Sequence, residues 1–463
     1  MAISEKIYKY LPNKLQNIAI SVFGYFWHKR RYGGVYKNEL LIVKAREKFS
    51  REEWEKYQTT ELRKILLDAF EHVPYYKEKF SNAGFTRDDF SSFELKDLHK
   101  LPFLEKDTLR RLGKTTLISE NINRNGDFFS SSGSTGTPVS IYFSKKFHQQ
   151  WTALFEARVR NWAGVNCADA RGMIGGRRVV PEGSDSGPFY RYNFIEKQVY
   201  YSAYHISPGT AANYVGDMWK YDIQYMTGYA VSNYLLALYI KQQGLKAPRL
   251  KAVITSSEKL TTEMRHVLEE VYQCNVFDGW SGVEACALVT ECAFGSLHIS
   301  NDAGIIELLD ENGAEVAVGE SGEVVCTGFL NNDQPLIRYR IGDRMTKGAD
   351  GCLCGSTMPI VKEIDGRLED VITGPDGRQM VRFHGIFIGI PAIEKSQVLQ
   401  HSLNSIEIRI QNSTLLSVAE LELIENRVKS QLGDVQVVVR QQATIEQTLN
   451  GKYKAVINLM KKV

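Results

Sequence analysis

Ser130-Ser-Ser-Gly-Ser-Thr-Gly-Thr-Pro138, followed directly by the alternating run Val139-Ser-Ile-Tyr-Phe143, is the most informative stretch of this 463-residue chain. Small residues in succession let the backbone approach a ligand closely. The N–H groups and hydroxyls of Ser131, Ser132, Gly133, Ser134, Thr135, Gly136 and Thr137 can then point at phosphate oxygens. Composition alone would favour a flexible Ser/Gly linker. The run does not continue into Gly-Lys-Ser/Thr, so it lacks the lysine of a P-loop NTPase.

Working outward, short apolar runs alternate with helical stretches from Phe128 onward. Lys251-Ala-Val-Ile-Thr255 reads as a strand, and Met264, Val267, Leu268 and Val271 recur at helical spacing after it. Upstream, to about residue 125, the chain reads mostly helical, with Leu62, Ile65, Leu66 and Ala69 on one face of a helix that ends at Val73-Pro74. Between about 303 and 345, turn signals at Asn312-Gly313 and Glu320-Ser-Gly322 predict hairpins. In the last hundred residues Ile406, Ile408 and Ile410 alternate as in a strand. Leu421, Ile424, Val428 and Leu432 then follow helical spacing up to Gly433, and Gln436–Arg440 is a second strand. The fold class is α/β: a large N-terminal domain of mixed sheets with helices, 1–365, and a small C-terminal α+β domain, 366–463.

The length suggests about three domain-sized units, or one large domain with a smaller one. Lys+Arg at 57 against Asp+Glu at 54 leave +3, so no basic field exists to hold a nucleic acid. The apolar run Ile18–Trp27 is about half of what a bilayer crossing needs, and no secretory signal is evident, which predicts a cytoplasmic protein with no transmembrane segment. The basic flank His28–Arg31 reads as an ordinary helix end, with a membrane surface as its alternative. Seven cysteines are an odd number for disulfides. Cys292-x5-His298 and Cys352-x-Cys354 supply three thiolates and an imidazole, the donor set of a closed structural zinc site, with buried core thiols as the alternative. Cys286 is a substitute ligand; Cys167, Cys274 and Cys326 read as core.

Further motifs follow the serine-rich loop in a fixed order: Trp280-Ser-Gly-Val-Glu284, Leu336-Ile-Arg-Tyr-Arg-Ile-Gly-Asp343, Gly366-Arg-Leu-Glu-Asp370 and Asn450-Gly-Lys452. Order and spacing together resemble the adenylate-forming superfamily of acyl-CoA synthetases, adenylation domains and luciferases, over the whole chain. His72-Val-Pro-Tyr-Tyr76, Gly187-Pro-Phe-Tyr-Arg191, Thr227-Gly-Tyr-Ala230 and Thr290–His298 are similar to the phenylacetate-CoA ligase branch and its CapK-like, capsular-polysaccharide subgroup.

The resemblance implies that a carboxylate attacks the α-phosphate of ATP, giving acyl-AMP and pyrophosphate, after which a thiol or amine takes the acyl group. It casts Glu284 as a Mg²⁺ ligand and Trp280 as the adenine-stacking ring, with Ser257 and Glu258 in the nucleotide loop. Asp343 receives the ribose hydroxyls, and Arg367 adds a cation nearby. Lys452 becomes the adenylation lysine, with Lys454 as its bland alternative, on a C-terminal lid that swings about Glu369. Tyr229 and Arg191 are assigned to the acid, which is expected to be small and polar or an aryl acid. Two positions depart from the family pattern, Ser281 for a glycine and Val283 for a hydroxyl residue. The expected acceptor is coenzyme A. The alternatives are an amine or hydroxyl of a sugar, amino acid or carrier protein in surface-polysaccharide synthesis, or a non-catalytic nucleotide-binding protein of that assembly.

Overall fold

The computed structural model describes residues 8, 11–122, 125–130, 138–176, 179–180, 187–365, 372–380, 383–387, 390, 392–412, 414–442, 445 and 456–460. Before the first strand the chain is helical, as its periodicity predicts. The helix Arg51–His72 opens on a capping box of Ser50 and Glu53 and buries Leu62, Ile65, Leu66 and Ala69. Pro74 starts the next helix, Pro74–Asn82, from the position where its missing N–H costs nothing.

Strands β1 (Asp127–Ser130) and β2 (Ser140–Phe143) form an antiparallel hairpin with Ser130 opposite Ser140. Residues 131–137, the expected phosphate loop, join them and lie outside the described residues.

One large sheet follows, built from β3 (Arg171–Gly175), β4 (Tyr190–Asn193), β5 (Gln198–Ser202), β6 (Tyr225–Tyr229), β7 (Ala252–Ser256), β8 (Asn275–Trp280), β9 (Val289–Glu291), β10 (Leu297–Ile299), β11 (Gly304–Leu309), β12 (Ser321–Gly328), β13 (Tyr339–Lys347) and β14 (Ile360–Ile364). Its order is β11-β12-β13-β14-β10-β9-β8-β7-β6-β3-β5-β4. The middle, β5-β3-β6-β7-β8, is parallel, and both wings are antiparallel. Crossover helices Ala211–Lys220, Ala230–Gln242 and Thr262–Tyr272 cover the parallel part, burying Met218, Leu236 and Leu268 against it. The N-terminal helices share a second core with the antiparallel wing, including Leu62, Phe80, Ile141, Tyr339 and Met345.

The Asn312-Gly313 signal is a turn, Gly313 taking φ +81. Gly322 instead lies within β12, where a Cβ would stand 2.7 Å from the carbonyl carbon of Leu308. The glycine there serves close strand approach, and the connection turns earlier, Glu320 N–H donating to Ala317 O at 3.0 Å.

The remaining strands are β15 (Ile372–Thr373), β16 (Gln379–Met380), β17 (Ile393–Ser402), β18 (Ser405–Asn412), β19 (Gln436–Gln442) and β20 (Val456–Asn458). The last four pair in the order β19-β18-β17-β20. The helix Val418–Leu432, with a Ser417–Glu420 capping box and Gly433 at φ +86 beyond it, packs Ile424, Val428 and Leu432 against Ile406, Ile408 and Ile410.

Candidate active site

Three neighbouring parallel strands end on one edge of the sheet, β6 at Tyr229, β7 at Ser256 and β8 at Trp280. The carboxyl edge of a parallel sheet is where ligands bind in open α/β folds. Gly228, at φ +121, turns β6 so tightly that a Cβ would stand 1.9 Å from the Ile174 carbonyl oxygen. Tyr229 reaches over Gly176, where a Cβ would meet its hydroxyl at 2.4 Å. Ser257 takes a left-handed φ of +72, a strained state for a non-glycine residue of the kind that collects at ligand sites. Glu258 accepts a hydrogen bond from Val231 N–H at 2.9 Å, which caps the helix Ala230–Gln242 and holds the β7 loop against the β6 turn.

Strand β13 brings the remaining groups. The strand is irregular between Arg340 and Arg344, with Gly342 at φ +89, and it brings both Tyr339 and Asp343 to the turn that follows β8. Trp280 Nε1–H donates to Asp343 Oδ2 at 3.0 Å, and the Tyr339 hydroxyl donates to Glu284 Oε1 at 3.2 Å. Burial first, and then the Glu284 carboxylate, push the Tyr339 phenol well above its ordinary range, so it stays protonated as the donor. Gly282 makes room for this arrangement, since a Cβ there would stand 2.3 Å from Glu284 Oε2. Glu284 itself is only 5% exposed. The departures from the family pattern have local roles: the Ser281 hydroxyl donates to the Ala287 carbonyl at 3.2 Å, and Val283 packs on the core.

Not every residue of these motifs faces the site. Arg338, at φ +46 and 2% exposed, pairs with Glu307 and donates to the His99 and Leu101 carbonyls, fastening β13 to β11 and to the N-terminal helices. Tyr76 of the His72–Tyr76 motif donates to Pro335 O and accepts from Ile337 N–H, both at 3.0 Å, so it fixes the entry to β13. Arg191, expected beside the acid, is 2% exposed and spends its guanidinium on Gln16 and on the Pro188 and Tyr190 carbonyls. Sequence reasoning passed over Tyr339, which stands in the same Leu336–Asp343 motif as Asp343. It also passed over Asp278, two residues before Trp280, whose Oδ1 accepts from the Thr255 hydroxyl at 3.1 Å and from Gly279 N–H at 3.0 Å. Burial raises this carboxyl to about 7. Arg367, Glu369 and Lys452 lie outside the described residues, as do Ser131 to Thr137.

A second cluster ties the β9–β10 hairpin to the loop between β13 and β14. The ligand atoms of Cys292, His298, Cys352 and Cys354 all lie within 4.8 Å of one another. Cys292 Sγ is 3.6 Å from Cys352 Sγ, and Cys354 Sγ is 3.4 Å from His298 Nε2. The bond lengths of tetrahedral zinc to sulfur and nitrogen imply ligand separations of roughly 3.4–3.8 Å, which these distances meet. His298 turns its other nitrogen to the Met358 carbonyl at 3.1 Å, the outer contact that orients a ligating imidazole. Backbone N–H groups of Cys354 and Ser356 point at the sulfurs of Cys352 and Cys354, each at 3.4 Å. Cys286, the substitute ligand, is instead a core thiol, 4% exposed beneath Gly328.

The chain is similar to known proteins in sequence and in fold. A sequence model of the CapK C-terminal domain matches residues 373–459. Protein CapK of Staphylococcus aureus is 25% identical over 343 residues, 73% of this chain and 72% of that protein. The phenylacetate-coenzyme A ligase of Pseudomonas putida is 26% identical over 338 residues, 68% of this chain and 71% of that one. The chain is thus similar in sequence to CapK and to phenylacetate-CoA ligases over about 70% of its length. Residues 373–459 are similar to the C-terminal domain of CapK in particular. The crystal structure of 2-hydroxyisobutyryl-CoA ligase with 2-HIB-AMP and CoA in the thioesterification state shares this fold at a TM-score of 0.59 and 20% identity, covering 89% of this chain and 91% of that one. The same ligase in an open conformation matches at 0.55.

Proposed function

We propose that this chain is an AMP-forming ligase that activates a small carboxylic acid and passes the acyl group to coenzyme A. The observation that carries the reading is the paired contact Trp280–Asp343 and Tyr339–Glu284 at the carboxyl edge of β6, β7 and β8.

In the first step a carboxylate oxygen of the acid bonds to the α-phosphorus of ATP, and the bond to pyrophosphate breaks. Asp343, steadied by the indole N–H, accepts from the ribose hydroxyls, and the Trp280 ring flanks the adenine. Glu284, its second oxygen folded back over Gly282, would hold Mg²⁺, which offsets charge on the phosphates. The hydroxyls and N–H groups of Ser131 to Thr137, on the β1–β2 hairpin, serve the leaving pyrophosphate, with Ser257 and Glu258 forming the nucleotide loop. Lys452 binds the α-phosphate and the carboxylate together, Arg367 lies near the ribose, and the C-terminal region, 366–463, turns about Glu369 between the two steps. In the second step the sulfur of coenzyme A bonds to the acyl carbon and AMP leaves. The four residues Cys292, His298, Cys352 and Cys354 would hold a structural zinc, since four protein ligands leave no position for substrate.

The acid is small and polar, or an aryl acid. A cavity of about 270 Å³ lies on the sheet face that carries Thr227, with Met173 and Ile254 along its wall and Arg160, Arg171 and Tyr225 at the opposite strand ends. Tyr225 and Thr227 share that face by alternation. The cavity lining mixes Arg160, Arg171 and Gln198 with Trp151, Phe155 and Ile254, which suits a small polar or an aryl acid.

Carboxylate-dependent ATP/pyrophosphate exchange over hydroxy acids, amino acids and aryl acids tests the reading. Exchange with a small polar or aryl acid, followed by thioester formation once coenzyme A is added, is expected. Failure of every acid in a sample that binds ATP would leave a non-catalytic nucleotide-binding protein. The likeness of residues 373–459 to the CapK C-terminal domain supports a second acceptor, an amine or hydroxyl of a surface-polysaccharide intermediate, an amino acid or a carrier protein. Exchange without thioester formation would favour it.

A further inference from the structure

The helix Asn13–Tyr32 is amphipathic in the sense opposite to that of a helix folded only onto its own protein. Its buried residues are Gln16, Ser21 and Gly24. Polar bonds hold this face to β4 and the turn after it. Tyr192 N–H donates to Asn17 Oδ1 at 3.0 Å, Phe194 N–H to Ser21 Oγ at 3.1 Å, and Arg191 Nε–H to Gln16. A Cβ on Gly24 would meet the Asn193 side chain at 2.3 Å.

The opposite face is apolar and open. Leu15, Ile18, Val22, Tyr25 and Phe26 are between 48% and 65% exposed. At roughly 100° per residue they fall within one arc about 100° wide, and the exposed Lys29 continues it. Phe194, on the adjoining turn, is 51% exposed as well. None of these side chains serves the core, and a contiguous apolar patch of this kind marks an interaction surface.

Charge commits the stripe to one occupant. From Lys6 to Asn38 the sequence has seven Lys and Arg and neither Asp nor Glu. Arg30 turns inward to the Phe143 carbonyl and His148, with Asp127 beside it, and Arg31 pairs with Glu196. Lys14, Lys29 and Lys37 remain exposed around the stripe. A second copy docking through the same self-complementary face would set lysine against lysine. An anionic lipid surface offers apolar depth to the stripe and phosphates to the lysines. No helix among the described residues is long and apolar enough to cross a membrane, so the helix would lie in the interface.

We propose that Asn13–Tyr32 is a peripheral anchor that seats the protein on an anionic bilayer. The proposal is independent of the catalytic reading. Its test is co-sedimentation of the full chain with vesicles of phosphatidylglycerol and phosphatidylethanolamine, and with pure phosphatidylcholine. Binding to the anionic vesicles should weaken with salt, and fall roughly tenfold or more in the double variant Val22→Asp/Phe26→Asp. Lys14→Glu/Lys29→Glu, which keeps the apolar stripe, should weaken it several-fold on the order of the electrostatic share. All four positions are exposed and outside the catalytic machinery, so ATP/pyrophosphate exchange in solution should persist in both variants. The anchor is overturned if the wild type ignores anionic vesicles or if neither double variant loses binding. It is equally overturned if sedimentation velocity shows a wild-type dimer that Val22→Asp/Phe26→Asp separates, because a second copy then covers the stripe.

Discussion

At the residue scale, one hydrogen bond separates the ring of Trp280 from its polar edge as contributors. Trp280→Phe keeps an aromatic face and removes the N–H that steadies Asp343. ATP affinity, measured by calorimetry, should fall by only about 0.5–1.5 kcal/mol, whereas Asp343→Ala, which removes the charged acceptor, should cost about 1.5–3 kcal/mol. Equal losses would put the two residues in different roles from those proposed. Asp278 makes a separate prediction about pH. Burial lifts its carboxyl to about 7 in the folded protein, above the ordinary unfolded value of about 3.9. A raised folded value stabilises the fold at low pH, and that contribution is lost as pH rises toward 7. Asp278→Asn should therefore gain on the wild type by on the order of 2 kcal/mol between about pH 5 and pH 7 in urea unfolding. A difference that stays constant with pH would show that the carboxyl titrates normally.

At the element scale, β13 is where the sheet and the site are joined. It brings Tyr339 to Glu284 and Asp343 to Trp280, while Arg338, in the same motif, binds Glu307 and two carbonyls of the N-terminal region. The motif is legible in the sequence, but the division of labour within it depends on which neighbours flank the strand. The cysteine cluster acts at the same scale by pinning the β9–β10 hairpin to the loop before β14. Zinc analysis of protein purified without chelator should find about one ion per chain, and Cys354→Ser should lose it. Chelation or that substitution should lower the melting temperature, since metal binding to a folded site is folding free energy. Metal-free wild-type protein with an unchanged melting temperature would return the four residues to the core.

At the scale of the whole molecule, chemistry on the large sheet is proposed to depend on a lysine from the small C-terminal unit. Lys452→Ala should reduce ATP/pyrophosphate exchange by at least about a hundredfold, while ATP affinity, which rests on the large sheet, changes by less than about threefold. A parallel loss of both would instead place Lys452 in nucleotide binding. Much of this architecture was readable from periodicity. The alternation of Ile406, Ile408 and Ile410, and the helical spacing from Leu421 to Leu432, are consequences of burying one face, and each appears as an element with that face inside. Local chemistry likewise determined the capping boxes, the turn at Asn312-Gly313 and the donor types of the four zinc-ligand candidates. Other features required neighbours remote in sequence. Arg191 reads as a polar residue beside a ligand until Gln16 closes over it, and Gly322 reads as a turn until β11 lies against it. The helix Asn13–Tyr32 shows the limit most clearly. The sequence reads this region as helical with an apolar run at Ile18–Trp27, but that cannot say which side faces the protein. That orientation was decided by Asn17, Ser21 and Gly24 meeting β4 and its turn, because only small and polar residues permit so close an approach of helix to strand.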